Sequence, residues 1–187
     1  MAKTGIQLIA TLALLGNVGL LVLLVLFLAQ VFFKNTLLKK LVKTLAPHNY
    51  YFVFLLSLIA TLSSLFLSEI VKFQPCILCW YQRITMYPQT LLLYIAIIRR
   101  EKVLTPYLIA LNCIGVLVSL YHYSLHVLPR AIVLLSPCSS TYAGVPCDKG
   151  YNFYYGFMTF PYMAFTVFAL NIILLSMTYA YTNKRKG

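Results

Sequence analysis

The sequence predicts an all-α integral membrane protein with five transmembrane spans. Of its 187 residues, 61% are hydrophobic and only 10% are charged, whereas soluble domains usually carry roughly 25% charged residues. Five runs approach the ~20 apolar residues that a helix needs to cross a bilayer. The predicted spans are Ile6–Phe33, Tyr51–Ser68, Trp80–Ile98, Val103–Leu128 and Phe153–Tyr181.

Basic residues follow the first, third and fifth spans, and the other loops contain few of them. The positive-inside rule assigns basic loops to the cytoplasm, so we expect the N-terminus outside and the C-terminus in the cytoplasm. Separated clusters at helix ends fit a membrane topology better than a nucleic-acid-binding face, despite the net charge of +12. The clusters are Lys34, Lys39, Lys40 and Lys43; Arg99, Arg100 and Lys102; and Lys184, Arg185 and Lys186.

The first span is longer than the 7–15-residue apolar core of a signal peptide, and no small-x-small cleavage motif follows it. We therefore expect an uncleaved helix, joined by a basic cytoplasmic connector to the second span. The next two connections are expected to be short: Lys72–Pro75 on the outer side of the membrane and Arg99–Thr105 on the cytoplasmic side. The exception is the external loop Pro129–Asn152, whose Arg130–Leu135 segment is apolar enough to lie along the membrane surface.

Four cysteines form two pairs on the predicted outer side. Cys76 and Cys79 make a C-x-x-C motif at the start of the third span, and Cys138 and Cys147 lie in the external loop. The start of a helix lowers the pKa of a thiol, which we expect for Cys79, one turn into the helix. A thiolate attacks disulfides and quinone carbons. The pattern favours electron transfer between disulfides and a lipid-soluble carrier.

Other interpretations of the cysteines stay open at this point. A zinc site usually has two close-spaced pairs, but eight residues separate Cys138 from Cys147. Two inert structural disulfides are the other alternative, since cysteines on an oxidising side tend to pair. With either, the protein is a non-catalytic membrane scaffold. Cys113, in the middle of the fourth span, is expected to be a free buried thiol that packs as a small hydrophobe.

Three polar residues inside the spans are candidates for binding a quinone. Arg83 follows Cys79 by four residues and so lies on the same helix face, where its guanidinium is expected to stabilise a reduced quinone and the thiolate. The alternative is that Arg83 extends to the outer interface. His122 and His126 are candidates to bind a quinone oxygen or to relay protons, with interfacial packing as the alternative.

The string Pro75-Cys76-Ile77-Leu78-Cys79-Trp80-Tyr81-Gln82-Arg83 resembles the P-C-x-L-C-x-Y-[QE]-R signature of the disulfide-bond formation family, DsbB and its BdbC-type relatives. Gly115-Val116 followed by His122, and Tyr155-Gly156-Phe157 followed by Pro161, resemble further family patterns. A vitamin K epoxide reductase-like protein is the nearest rival, but its C-x-x-C normally lies late in the chain. The resemblance covers roughly residues 50–187 and leaves 1–49, the first helix and its connector, without a counterpart.

The resemblance implies an antiparallel four-helix bundle in the bacterial cytoplasmic (inner) membrane, with its cysteine loops on the extracytoplasmic side. It implies an oxidoreductase that reoxidises a DsbA-like thioredoxin-fold partner and passes electrons to ubiquinone or menaquinone. Cys79 would face the quinone beside Arg83, and Cys76 would exchange with the loop pair. Cys138 would form the mixed disulfide with the partner, and Cys147 would link transiently to Cys76. Membrane lipid is a further expected partner, and we expect no nucleic acid and no metal.

Overall fold

The computed structural model describes residues 2–33, 48–101, 103–127, 147 and 154–183. Within these ranges the chain forms helices and no β-strand, which confirms the predicted all-α class. The helices are α1 (Ala2–Phe33), α2 (Asn49–Leu65), α3 (Ile77–Arg99), α4 (Thr105–Val127) and α5 (Phe160–Asn183).

Four of the described helices are long and apolar enough to cross a membrane: α1, α4, α5, and α2 with the π-helical turn Phe66–Ile70 that extends it. α3 has 23 residues, as many as α4, or about 35 Å at ~1.5 Å per residue. It is more polar than the others because Gln82, Arg83 and Gln89 lie within it. The protein is therefore a multi-pass membrane protein.

α2, α3, α4 and α5 form a closed ring in which each helix packs against two neighbours, and α1 packs on α5 outside the ring. The hydroxyls of Tyr50 and Thr105, at the starts of α2 and α4, lie 2.6 Å apart. Asn49, also at the start of α2, donates to the carbonyl of Leu174 late in α5 at 3.0 Å. These contacts confirm the antiparallel four-helix bundle with one additional N-terminal helix.

The two ends of the bundle differ in charge and chemistry. Cys76 precedes α3 at one end, and Arg99 and Arg100 lie at the other, where α3 terminates. The orientation of these ends across the membrane stays a prediction. The basic clusters at 34–43 and 184–186 lie outside the described residues, as does the proposed surface segment at 130–135.

One polar side chain from each bundle helix meets at the centre. Ser57, Gln89, Asn112 and Asn171 are fully buried. The Ser57 hydroxyl accepts hydrogen bonds from the side-chain amides of Gln89 at 3.2 Å and Asn171 at 3.0 Å. The side chain of Asn112 donates to Oε1 of Gln89 at 2.7 Å. An unpaired polar group in hydrocarbon costs several kcal/mol, so this layer favours one register of the four helices.

Two expectations from the sequence need correction. The last helix begins at Phe160 rather than near Phe153, because Tyr154 and Met158 exchange backbone hydrogen bonds of 2.8 and 2.9 Å around a turn. That turn has positive φ at Tyr155 (53°) and Gly156 (84°), and these values are incompatible with a helix that begins before the turn. Cys113 is not in a disulfide, but it is exposed on α4 rather than buried. Its side chain therefore faces away from the bundle interior.

The contact between α4 and α5 yields a stability prediction. A Cβ on Gly115 would lie 2.6 Å from the ring of Phe168, which is fully buried and so has little room to move. Gly115→Ala should therefore destabilise the protein by about 1–3 kcal/mol through overpacking. Gly19→Ala is the matched control, because nothing lies within 4 Å of its Cβ position. Thermal unfolding in detergent, followed by circular dichroism, should show a lower midpoint for Gly115→Ala alone; equal midpoints would refute the prediction.

Candidate active site

Both cysteines of the C-x-x-C motif lie at the start of α3. Cys76 is the residue before the helix, in an extended conformation (φ −73°, ψ 174°), and Cys79 lies one turn further along. Neither is in a disulfide. Their sulfurs are 3.4 Å apart, within hydrogen-bonding distance. Cys76 is buried, whereas Cys79 is partly exposed, so the two thiols have different surroundings.

The imidazole of His122 approaches Cys76 from α4. Its Nε2 lies 3.6 Å from the Cys76 sulfur, and its Nδ1 lies 3.5 Å from the amide nitrogen of Gln82. One ring nitrogen therefore faces the Cys76 sulfur, and the other faces the side-chain amide of Gln82. The sequence predicted His122 as a quinone ligand or proton relay; the structure places it against the thiol, and it does not line the cavity described below.

These contacts set the acidity of Cys76. The hydrogen bond with Cys79 is the largest influence and lowers the pKa of the Cys76 thiol; burial opposes it, and the hydrogen bond and charge of His122 lower the pKa further. The net result is a pKa well below the ordinary value. Sequence reasoning had placed this effect on Cys79. In the structure it falls on Cys76, which precedes the start of α3 and lies within hydrogen-bonding distance of Cys79 and His122.

Cys147 is buried in the same cluster as Cys76, together with Leu78 and Leu125. It is disulfide-bonded. Cys138, the predicted partner-facing cysteine, lies outside the described residues. The structure thus brings one cysteine of the loop pair next to the first cysteine of the C-x-x-C motif.

A cavity of about 370 Å³ opens on the other side of the motif. Its wall is formed by α1, α2, α3, α5 and the turn before α3, and it is mainly apolar. Cys79, Gln82, Arg83 and Tyr87 contribute polar atoms from α3. Cys79 therefore lines an apolar cavity, while Cys76 contacts His122 and belongs to the same buried cluster as Cys147.

Arg83 is held in this wall by Ser64 of α2. Its Nε donates to the Ser64 hydroxyl at 3.0 Å and its Nη2 to the Ser64 carbonyl at 3.1 Å. Tyr87 donates to the same hydroxyl at 3.1 Å, and the guanidinium lies 5.3 Å from the centre of a ring of Trp80. The predicted pairing of Arg83 with Cys79 on one helix face is confirmed by their shared cavity.

Sequence reasoning missed two residues of this arrangement. Gln82 lines the cavity and also lies beside His122, so it connects the two sides of the motif. Ser64 orients the arginine. Gln82 could have been found as a buried polar residue inside an apolar span; Ser64 carried no such signal because serine is common in membrane helices.

Metal-ligand chemistry is also present in this group. The ligand atoms of Cys76, Cys79 and His122 lie within 4.8 Å of one another. Structural zinc takes four protein ligands, and the part of the chain that the structure describes brings three of them together here.

The bundle holds the thiols of Cys76 and Cys79 close together, with the buried Cys147 on one side and an apolar cavity on the other. This arrangement defines a membrane protein with thiol–disulfide chemistry. The chain matches the family model "Disulfide bond formation protein DsbB" over residues 48–178. It therefore belongs to the DsbB family, as its resemblance predicted, and is a disulfide bond formation protein of the DsbB type. The match begins at residue 48, so α1 precedes it.

Relatives of the C type give the same assignment. The chain is 42% identical over 119 residues to "Probable disulfide formation protein C" of Halalkalibacterium halodurans, covering 64% of this chain and 84% of the relative. It is 41% identical over 127 residues to "Disulfide bond formation protein C" of Bacillus subtilis, covering 68% and 89%. No solved structure was found to match. Family membership supports a role as a disulfide-forming oxidoreductase.

The contact between His122 and Cys76 predicts a measurable change in thiol acidity. His122→Asn should raise the pKa of Cys76 by about one to two pH units, since a hydrogen bond to a charged group contributes roughly 1.5–3 kcal/mol and ~1.36 kcal/mol corresponds to one pKa unit. Cys76 is thiolate at pH values above its pKa, so the variant loses thiolate in the range between the two midpoints. The measurement is ultraviolet thiolate absorbance against pH, in a Cys113→Ser background.

His48→Asn is the control, because His48 lies at the opposite end of the bundle, beside the start of α2. The thiolate absorbance of the His48→Asn variant should follow the same curve against pH as that of the background protein. An identical curve for His122→Asn would show that the imidazole does not stabilise the thiolate.

Proposed function

We propose that the protein reoxidises an extracytoplasmic, DsbA-like thioredoxin-fold protein and passes the electrons to a membrane quinone, as a thiol:quinone oxidoreductase of the bacterial cytoplasmic membrane. The observation that carries this proposal is the division of the dithiol between two environments. Cys76 packs with Cys147 of the loop pair, and Cys79 lines an apolar cavity beside Arg83. Electrons that enter through one thiol can leave through the other.

Entry of electrons follows thiol–disulfide exchange. A partner thiolate attacks the loop disulfide at Cys138, forms a mixed disulfide and releases Cys147 as a thiolate. Cys147 then attacks Cys76 of an oxidised Cys76–Cys79 pair, which releases Cys79 as a thiolate. The second partner thiolate resolves the mixed disulfide by attacking the partner's own sulfur, so the partner leaves oxidised and Cys138 is freed.

One further exchange restores the loop pair, and the Cys76–Cys79 disulfide is restored afterwards when these thiols give up two electrons and two protons to an acceptor. Cys138 attacks Cys147 of the Cys76–Cys147 disulfide, which restores the loop pair and releases Cys76. The low pKa of Cys76 supports this step, because a more acidic thiol is a better leaving group. Two electrons now reside on Cys76 and Cys79 as thiols or thiolates.

The cavity suits a quinone as the acceptor of these electrons. Its volume falls within the ~300–1,000 Å³ typical of small-molecule sites, and its apolar lining with few polar groups is also typical. A bound quinone takes up two electrons and two protons. Arg83 is positioned to stabilise negative charge on a quinone oxygen, and Gln82 connects the cavity to His122, whose imidazole lies beside the Cys76 sulfur.

The alternative is a non-catalytic scaffold with structural disulfides or a bound metal. The grouping of Cys76, Cys79 and His122 is the observation that favours a metal. A scaffold predicts stable cysteines, no dependence on quinone, and stoichiometric metal in the purified protein. Turnover by metal-free protein would exclude this alternative.

Cysteine substitution tests the proposal directly. Cys79→Ser should abolish quinone reduction by a reduced DsbA-like protein, because electron exit requires a thiolate in the cavity. Cys113→Ser should retain nearly full activity, since Cys113 is exposed on α4 and far from the motif in the chain. Turnover is measured as the loss of quinone absorbance in detergent-purified protein. Normal turnover by Cys79→Ser would eliminate the proposed electron path.

Arg83 should contribute through its charge and its planar donors. Arg83→Ala should raise the KM for quinone about tenfold or more, since charge-assisted hydrogen bonds contribute ~1.5–3 kcal/mol and ~1.4 kcal/mol is a factor of ten. Arg83→Lys should restore part of the loss, because a lysine keeps the charge but not the planar fork.

Arg99→Ala serves as the matched arginine control at the opposite end of α3. Quinone-reduction kinetics of the three variants and unsubstituted protein give the comparison, with thermal unfolding as a check on folding. An unchanged KM in Arg83→Ala would leave Arg83 as a bridge between α2 and α3 and would place the quinone elsewhere.

A further inference from the structure

We propose that α1, the helix that precedes the family match, forms the wall that receives the isoprenoid tail of the quinone and thereby determines which quinones the protein accepts. The inference rests on the proposed quinone reduction and adds a specificity-determining element to it. It assigns a function to a helix that lies outside the four-helix bundle.

α1 is fixed against the bundle at several depths. A Cβ on Gly5 would lie 2.5 Å from the ring of Phe66, so α1 closely approaches the end of α2 here. Further along, the hydroxyl of Thr11 lies 3.1 Å from that of Tyr155, and Asn17 accepts from the Thr166 hydroxyl at 3.0 Å. α1 therefore starts at the cysteine end of the bundle and runs along α5 towards its middle.

The cavity follows the same direction. Its lining on α3 runs from Cys79 to Tyr87, and on α5 from Phe160 to Leu170. At ~1.5 Å per residue these stretches are about 12 and 15 Å long. On α1 the lining runs from Ile9 to Gly16. The cavity is thus elongated along the helix axes, with Cys79 near one end and Gly16 near the other.

The two ends differ in chemistry. The polar groups that suit a quinone ring, the Cys79 sulfur and the Arg83 guanidinium, lie in the half nearer the start of α3. The deep end is formed by Gly16 against Thr166 and Leu170 of α5, with Leu56 of α2 also in the wall. An elongated apolar space leading away from a polar site matches a molecule with a polar ring and a hydrocarbon tail. The tail would therefore lie against α1.

Two glycines of α1 make a matched pair for testing this. A Cβ on Gly16 would lie 3.6 Å from Thr166 and 3.8 Å from Leu170, which is ordinary contact. Gly16→Ala should therefore be tolerated, whereas the longer side chain of Gly16→Leu should occupy the deep end. Gly19 lies one turn further on, has nothing within 4 Å of its Cβ position, and does not line the cavity. Gly19→Leu adds the same bulk without touching the site.

The experiment compares menadione, a naphthoquinone without an isoprenoid tail, with a menaquinone that carries a short one. Binding is measured directly by quenching of Trp80, the one tryptophan of the chain, which lies beside Arg83. Quinone-reduction kinetics in the full-length protein provide the second readout. Exchange of the cysteines with reduced partner in the absence of quinone serves as a check on folding.

Gly16→Leu should weaken binding of the tailed quinone and raise its KM about tenfold or more, the scale on which hydrophobic pockets discriminate by size. Binding of menadione and quinone-free thiol exchange should stay unchanged. Gly16→Ala should have a smaller effect, and Gly19→Leu should match the unsubstituted protein. This pattern would support the inference.

Other results would overturn it. Equal affinities of Gly16→Leu and Gly19→Leu for the tailed quinone would show that α1 does not contact the tail. Equal weakening for menadione and the tailed quinone in Gly16→Leu would show that α1 limits the ring instead. If the unsubstituted protein exchanges its cysteines with reduced partner but reduces no quinone, the proposed function itself fails, and the inference fails with it. These outcomes separate the two levels of the proposal.

Discussion

Polar atoms buried in a membrane bundle must find partners within the protein, and this constraint organises the structure. Ser57, Gln89, Asn112 and Asn171 are joined by hydrogen bonds across four helices, so sliding or rotating a helix would break a bond without water to replace it. The same register carries α4's buried face, which continues from Asn112 through Gly115 and Ser119 to His122. The central layer therefore aligns the imidazole with Cys76 at the end of the bundle.

The two thiols of the C-x-x-C motif lie in different environments. A C-x-x-C motif at a helix start places its first sulfur outside the helix and its second one turn inside it. At this position the first sulfur meets α4 and the loop cysteine, and the second meets the cavity. The three-residue separation brings the two sulfurs to 3.4 Å from each other. The local geometry of the motif thus connects the buried cluster of Cys76 and Cys147 to the apolar cavity.

Much of this was predictable from the sequence, for identifiable reasons. Helix positions follow from apolar length, and the pairing of Cys79 with Arg83 follows from helical periodicity. The contact between His122 and Cys76 depends on how α3 and α4 pack, which one-dimensional spacing does not encode. The exposure of Cys113 was mispredicted because an apolar span reads alike on its inner and outer faces when lipid surrounds it. α1 presents the same difficulty: it is apolar on all sides, so its pattern does not reveal which face meets α5.

The position of α1 in the chain has a consequence for assembly. It is synthesised before α5, yet Thr11 and Asn17 bond to residues 144 and 149 positions later. Closing a loop of this length carries an entropic cost that grows slowly with length, but the partners must first exist. The contact of Gly5 with Phe66 is available early, whereas the α5 side of the cavity forms only when the last helix inserts. The cavity is therefore completed only after α5 has been synthesised, and a chain that lacks α5 leaves the cavity without one of its walls.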